Sequence, residues 1–495
     1  MERDMSRRTF VGATAALAVS GIASRALASE GGAEEAGDAS AAADGFPEGM
    51  STEWLTDDPQ RYADRGGATL TLEQLNKIRR DMVDAAHELT ASDGTTAGET
   101  WVRLATLMNT YGGGLLKAAT PEEADEHLAD FAEYLQNLFD DDEEAARHCL
   151  EMPWGKVFSV YEYAEASDRT VEECAAICGD LAARGLICHL ARTGGDYYHH
   201  LPIYHGFWEY SVGRIYDPKE NDVYVQKLIA NGASGGVMTS GTPIYYSVPC
   251  EKDVVADDRV LPCNDWEEML DRYDTICVLP CICSLTDNVS AGADVPPIGS
   301  EELKEFRNVF ESEAVDGQGH HLERCLGFGE EAEYYLERGL ARKISKDEAR
   351  EIIQRNIDEG LVMQMGYTRN SEILCSCHSA CCKVLSGYAM LGPDVFPQLP
   401  ISVNCSNYLL NYDRDVCIQC GACVERCPMH AISMDDTNHP AVNALCVRCG
   451  QCGLVCPVHA RTLSARPAED RLPVPDDHMD DHNRKFGFRV EHGLV

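Results

Sequence analysis

Basic residues are scarce in this chain: 42 Lys and Arg stand against 82 Asp and Glu, a formal net charge of −40 over 495 residues. A surface of that sign repels phosphate backbones and anionic lipid headgroups, so nucleic acid and a membrane surface are poor partners on average. It suits solubility and the docking of basic partners. Also lacking is any run of the roughly 20 apolar residues that a helix needs to span a bilayer. There is no G-x-G-x-x-G after a strand, no P-loop and no nucleophile elbow, so dinucleotide, nucleotide and serine-hydrolase chemistry have no motif to stand on. The composition, 44% hydrophobic and 25% charged, is that of a soluble globular protein with room for roughly two to four domains.

Cysteine, by contrast, is abundant, with 23 residues. Its meaning depends on compartment. The first residues place Arg7 and Arg8 in the setting Ser6-Arg-Arg-Thr9-Phe10-Val11, ahead of a weakly apolar stretch to about Ile22 and the small-x-small site Ala26-Leu27-Ala28. The expectation is a twin-arginine export signal over residues 1–28, cleaved near Ala28, and a protein placed in the periplasm or on the outer face of the cytoplasmic membrane. Export in the folded state suits a cofactor inserted beforehand. Exported chains are normally read for disulfides, yet the spacing of the cysteines points to metal.

The fold class expected is α+β. It comprises a helical N-terminal region, a winged-helix-like unit, a mixed α/β Cys-rich middle domain and a C-terminal two-cluster ferredoxin module of bacterial type. Residues 29–50 are small and acidic and read as a disordered linker. Residues 51–154 carry helical periodicity, with Thr120 as N-cap, Pro121 at the first position and Glu123 at the capping-box position. Residues 155–206 read as two helices and a hairpin around Gly194-Gly195, the pattern of a winged helix. The second helix carries Glu172, Glu173 and Asp180 against Arg184, which opposes DNA binding and favours a structural or partner-docking role. Residues 207–404 mix helix and strand, 405–464 hold the ferredoxin module, and 465–495, rich in Pro, Asp and Arg, read as an extended tail.

The clearest chemistry lies in residues 417–428, CIQCGACVERCP, and 446–457, CVRCGQCGLVCP, two copies of C-x2-C-x2-C-x3-C-P. Three thiolates on one tight loop reach three iron corners of a cubane, and the fourth comes from the other copy. The assignment is therefore crossed. Cys417, Cys420, Cys423 and Cys456 hold one 4Fe–4S cluster, and Cys446, Cys449, Cys452 and Cys427 hold the second. Gly421 and Gly450 allow the tight turn. Zinc loops use paired cysteines rather than four with a terminal proline. This stretch closely resembles the bacterial two-cluster ferredoxins.

Fifteen cysteines lie outside that module. Cys149, Cys174, Cys178, Cys188, Cys250, Cys263 and Cys405 are scattered, and Cys174 and Cys178 share a helix face that reads as core. The others gather around CVLPCICS, with Cys277, Cys281 and Cys283, around Cys325, and in CSCHSACC, with Cys375, Cys377, Cys381 and Cys382. Leaving Cys277 aside, those seven thiols exceed the four that one cluster needs. The expectation is a third Fe–S cluster or another thiolate-bound metal, with disulfides or redox-sensing thiols as the alternatives. One of the adjacent pair Cys381 and Cys382 is expected to be spare. His378 is a weaker ligand candidate, and His199, His200, His205, His320 and His321 read as surface or strand histidines.

Over residues 70–460 the chain also resembles large 4Fe–4S dicluster ferredoxin-like proteins. The matching positions are Cys281-Ile282-Cys283, Cys325-Leu326-Gly327-Phe328-Gly329, Cys375-x-Cys377, Cys381-Cys382 and the ferredoxin motifs. It departs from their pattern at Ser284, where Arg is expected, at Ser376, where Asn is expected, and at His378, where a further Cys is expected. The resemblance implies electron transfer. The function expected is an exported iron–sulfur carrier or subunit that passes single electrons between a membrane quinol or cytochrome system and a partner reductase, of flavin- or molybdenum-dependent type. The alternative is a redox enzyme whose Cys-ligated metal site in the middle domain is fed by the ferredoxin module.

Overall fold

A computed structural model describes residues 70–115, 118, 120–192, 194–210, 214–217, 245–250, 266–290, 295–296, 300–386, 406–443, 445–465, 467 and 474–495. The expected export signal and acidic linker, together with Cys263 and Cys405, lie outside the described residues. Helix and sheet are mixed throughout, as an α+β chain requires.

Four helices open the described chain: α1 (Leu72–Ala85), α2 (Glu99–Met108), α3 (Pro121–Leu138) and α4 (Glu143–Glu151), with the short hairpin β1 (Leu89–Thr90) and β2 (Thr96–Ala97) between the first two. Local chemistry sets their ends. Thr120 accepts a hydrogen bond from the Glu123 N–H and Pro121 fills the first helical position of α3. The buried stripe Phe131, Leu135 and Leu138 then faces the core.

Next come β3 (Phe158–Ser159), α5 (Val160–Ala166), α6 (Val171–Arg184), β4 (Ile187–Arg192) and β5 (Gly195–His200), the strands pairing in the order β3-β5-β4. Ser159 with Glu162 and Thr170 with Glu173 close capping boxes at both helix starts, and Gly185 ends α6 in the left-handed region. Cys174 and Cys178 are fully buried on α6, as core residues.

The middle domain is a six-stranded antiparallel sheet. In chain order its elements are β6 (Tyr245–Val248), α7 (Trp266–Arg272), β7 (Ile276–Pro280), α8 (Ile282–Ser290), α9 (Glu301–Glu313), β8 (Glu323–Phe328) and α10 (Gly329–Glu337). They continue with β9 (Arg342–Lys343), α11 (Lys346–Asp358), β10 (Val362–Gly366) and β11 (Ile373–Cys377). The strand order is β6-β10-β11-β8-β7-β9. Helix α10 covers β4 of the preceding unit, and the Tyr334 hydroxyl reaches the carbonyls of Ala182 and Ile187. Gly327 lets β8 lie close to β7, because a Cβ there would meet the Cys277 sulfur at 2.9 Å.

The last module contains β12 (Tyr408–Tyr412), α12 (Ala422–Arg426), β13 (Ile432–Met434), β14 (Pro440–Val442), α13 (Gln451–Leu454) and β15 (Arg461–Ala465). β12 pairs with β15, and β13 with β14. The residues after 465 correct the expectation of an extended tail. They include α14 (His478–Glu491), capped by Asp477, which runs back to α1 at the other end of the chain. Phe486, Phe488 and Arg489 are buried there. The charged positions hid an apolar face that finds its partner only in the N-terminal helices.

Candidate metal centres

The ferredoxin module repeats its backbone as well as its cysteines. Gln419 and Arg448, Gly421 and Gly450, and His430 and His459 are three pairs in matching positions of the two motifs, and all six residues have positive φ. Gly421 and Gly450, at φ 78° and 86°, each precede a short helix and turn the loop so that three thiols face one point. The structure brings Cys417, Cys420, Cys423 and Cys456 together around one cavity, so the thiol from the second motif joins the three of the first. Cys427 lies within electrostatic reach of Cys446, and Cys449 within reach of Cys446 and Cys452. Backbone N–H groups point at the sulfurs: Gln419 to Cys417 at 3.4 Å, Ala431 to Cys427 at 3.2 Å and Ala460 to Cys456 at 3.2 Å. All-thiol donors with amide N–H groups aimed at sulfur fit a 4Fe–4S cubane and set its potential.

The two halves differ in surroundings. Cys420 is exposed beside the exposed apolar side chains of Val416 and Ile418, whereas its counterpart Cys449 is buried; Cys423 and Cys452 are buried alike. Buried Arg461 lines the first cavity, packs its guanidinium 4.2 Å from the Tyr412 ring centroid and donates to the Pro440 carbonyl. Burial pushes the Cys423 thiol up, and the Arg461 charge opposes it. The second half faces the middle domain. The Cys250 N–H donates to the Cys449 carbonyl at 2.9 Å, and Gln451 reaches the carbonyls of Ile357 and Leu361.

In the middle domain, six of the seven extra thiols line one cavity: Cys281, Cys283, Cys325, Cys375, Cys377 and Cys382. The fold explains why. Cys375 and Cys377 alternate on β11 and so share a face. The pairing of Leu374 with Leu326 sets Cys325 of β8 beside Cys375. Cys281 follows the end of β7, anchored by its N–H on the Leu322 carbonyl at 2.7 Å, and Cys283 lies in the first turn of α8. The turn after His378 delivers Cys382, whose sulfur accepts from the Leu385 N–H at 3.5 Å. Tyr204, Trp208, Tyr245 and Tyr335 close the cavity from the side.

Cys381 stands outside this group. Its sulfur accepts from Arg324 Nη2 at 3.3 Å. Arg324 is fully buried and also bonds Asp316 at 2.8 Å and the Ser284 hydroxyl at 2.5 Å. Against its own burial, Asp316 is held well below the usual carboxylate range by His320 and Arg324. Arg324 thus brings a guanidinium to Ser284, and Asn356 brings an amide to the Ser376 hydroxyl at 2.8 Å. His378 does not line the thiol cavity. Its ring lies tilted, 5.1 Å from that of His320, and it accepts from the Ala380 N–H at 3.1 Å.

The reading of His205 and His320 as surface or strand residues is corrected. His320 is buried against Asp316 at 3.4 Å. His205 bonds Glu331 at 2.5 Å and Tyr245 at 3.0 Å, and the Tyr245 hydroxyl also reaches Glu209 at 3.3 Å. Burial lowers the affinity of His205 for a proton, but the carboxylates of Glu331 and Glu209 outweigh it and push the imidazole up to about 10. Glu209 and Tyr245 line the thiol cavity, so this acid–base network ends beside the sulfurs. Nothing in the local sequence marks these residues, because the network is assembled from three distant segments.

Every described cysteine is free of disulfides. Among the described residues, no three His, Cys, Asp or Glu side chains converge tightly enough to share a single metal ion. That holds for the ferredoxin cysteines as well. A cluster differs from an ion in presenting separate iron corners, so its thiolates stand apart.

Residues 416–460 match the family model of a 4Fe-4S dicluster domain. Neither a curated protein nor a solved structure matches the chain. Among the described residues no helix is long and apolar enough to cross a membrane. The chain therefore carries a ferredoxin-like 4Fe–4S module over residues 416–460, joined to an α+β body with a second gathering of thiols.

Proposed function

We propose that this protein is an exported iron–sulfur electron carrier or subunit, passing single electrons between a membrane quinol or cytochrome system and a partner reductase of flavin- or molybdenum-dependent type. The ferredoxin module holds two 4Fe–4S clusters in the crossed assignment, and the six middle-domain thiols hold a further Fe–S cluster. When bound, such clusters supply one-electron redox chemistry and no proton or group transfer of their own. Export rests on Arg7, Arg8 and the residues around them. The unit over 155–206 is winged-helix-like and structural, since β4 is covered by α10 rather than open to a ligand.

The observation that carries this reading is the polarity of the ferredoxin module. One end exposes Cys420, Val416 and Ile418 to a partner, and the opposite end, where Cys449 and Gln451 of the second motif meet Arg426 of the first, is packed on the middle domain. Electrons enter or leave at the first cluster and pass through the second to the thiol cavity. The protein's part is to hold the clusters at fixed separation, exclude water from the inner ones and set potentials through N–H groups and buried charge. The acidic surface selects a basic docking face on the partner.

Anaerobic purification with iron and acid-labile sulfide analysis and EPR-monitored titration tests it. At least two magnetically interacting 4Fe–4S signals, plus a third species lost when the cysteines of the middle-domain cavity are replaced, are expected. A protein whose only metal is zinc would end the reading.

A second reading has one specific observation behind it. The network Glu209–Tyr245–His205–Glu331 offers buried proton-accepting and proton-donating groups at the wall of the thiol cavity. A carrier has no need of them, and an enzyme that couples protons to electrons does. Turnover of a substrate by the isolated protein with an artificial donor would favour this alternative.

A further inference from the structure

The six thiols of the middle domain form a closed ring. Cys281 interacts with Cys283 and Cys325, Cys325 with Cys375, Cys375 with Cys377, Cys377 with Cys382, and Cys382 with Cys283. Each of the six bonds two others of the ring, and Cys381, though near Cys281, does not line the cavity. Six is the wrong number for the common clusters. A single cubane offers about four iron corners and would leave two ring thiols buried and without metal; two independent cubanes need about eight. Two cubanes joined through one bridging sulfide each spend one corner on the bridge and keep three, which makes about six in all.

The space agrees with the count. The ring cavity has about 50 Å³ of room, against about 20 Å³ for the cavity of Cys417, Cys420, Cys423 and Cys456. The ring also divides into two triads by origin. Cys325, Cys375 and Cys377 come from the adjacent strands β8 and β11, and Cys281, Cys283 and Cys382 come from the loop and helix starts opposite. The strand triad can cap one cubane and the helix-start triad the other.

We propose that the ring of Cys281, Cys283, Cys325, Cys375, Cys377 and Cys382 binds one eight-iron unit, two 4Fe–4S cubanes bridged by a ninth sulfide, with three thiolates on each cubane. This rests on reading the ring as an iron–sulfur site. It makes the middle domain a centre that stores more than one electron, where a single cubane would relay one.

Native mass spectrometry of the anaerobically purified holoprotein tests it, because each degree of loading appears as its own peak. The double variant Cys417→Ser, Cys446→Ser disables the ferredoxin module and leaves the ring's increment in isolation. The expected increment is a single step of about eight iron and nine sulfide. A step of about four iron and four sulfide, or no step, overturns the proposal. Loss of the ferredoxin increments from the wild-type protein with the ring increment intact would instead defeat the two-cluster reading above. Cys381→Ser, outside the ring, is expected to leave the increment unchanged, and Cys382→Ala to remove it whole. A half-sized increment in Cys382→Ala would mean two independent sites and would overturn the bridge.

Discussion

The Ser379 hydroxyl donates a hydrogen bond of 2.5 Å to the carbonyl oxygen of Pro428. Ser379 stands between Cys377 and Cys382 of the thiol ring, and Pro428 directly follows Cys427 of the ferredoxin module. The bond therefore joins the two centres by a short path in which all other steps are covalent. Replacing Ser379 by Ala removes that step and leaves both thiol sets in place. Electron transfer between the ring and the ferredoxin clusters is expected to slow several-fold, with iron content unchanged, in flash-reduction or rapid-freeze EPR kinetics. An unaltered rate would mean that electrons take another route.

Arg461 makes the two thiol sets of the ferredoxin module unlike. It is buried at the wall of the cavity that holds Cys417, Cys420, Cys423 and Cys456. A fixed positive charge favours the reduced cluster, so this centre should sit above its twin in potential. Arg461→Gln is expected to lower that potential, on the order of 50–100 mV for a unit charge at several ångströms in a partly screened interior. The other cluster should hardly move. Arg461→Lys should restore most of the difference. EPR-monitored titration reads both clusters at once, and equal shifts in both would reduce the argument to a general loosening of the module.

Stability should fall as pH rises through the neutral range, for two reasons of the same sign. Glu372 is pushed up to about 8 by burial and by the neighbouring carboxylates of Glu331 and Glu330, from an ordinary value of 4.5. The folded state binds that proton more tightly than the unfolded chain, so stability drops between about 4.5 and about 8. His205, held up to about 10, gives stabilisation that is complete below about 6.5 and is lost as pH rises through about 10. Thermal unfolding of the anaerobic holoprotein should show a melting temperature several degrees lower at pH 9 than at pH 6. Glu372→Gln should flatten the slope on the acid side of pH 8. A slope unchanged by the variant would remove Glu372 from the account.

The ferredoxin module was legible because its ligands are local. Three of four thiols for each cluster sit within seven residues, and the turn that aims them needs a glycine at a fixed place, Gly421 or Gly450. The thiol ring was legible only as an excess of cysteine, since its closure depends on the β8–β11 pairing and on the turn after His378. Arg324 could not be assigned to Ser284, nor Asn356 to Ser376, because each guest side chain lies at least 20 residues from its host and no periodicity links them. The acid–base pair His205–Glu331 is separated by 126 positions and escaped for the same reason. The tail was misread because its polar residues are the ones that make the long-range contacts, which inverts the usual rule that polar means exposed.

That tail supplies the last prediction. Arg489 of α14 is buried and donates to the Asn109 carbonyl at 2.6 Å and the Leu115 carbonyl at 3.3 Å. Burial lowers its proton affinity to about 9. Gly114 leaves the room, since a Cβ there would fall 1.9 Å from the guanidinium. Asn483, six residues earlier on α14, clasps Arg79 at 2.9 Å and the Gly155 carbonyl at 2.8 Å. The helix thus acts as a strap that ties residues after the ferredoxin module to the N-terminal helices. Arg489→Ala leaves two carbonyls without their donor and a void beside Gly114, at a cost of about 2–4 kcal/mol. It should lower the melting temperature and expose residues 474–495 to protease while the ferredoxin signals persist. Arg484→Ala, on the same helix but partly exposed beside Asp480, should do neither. Equal protease sensitivity in the two variants would show that the strap is held by its apolar face alone.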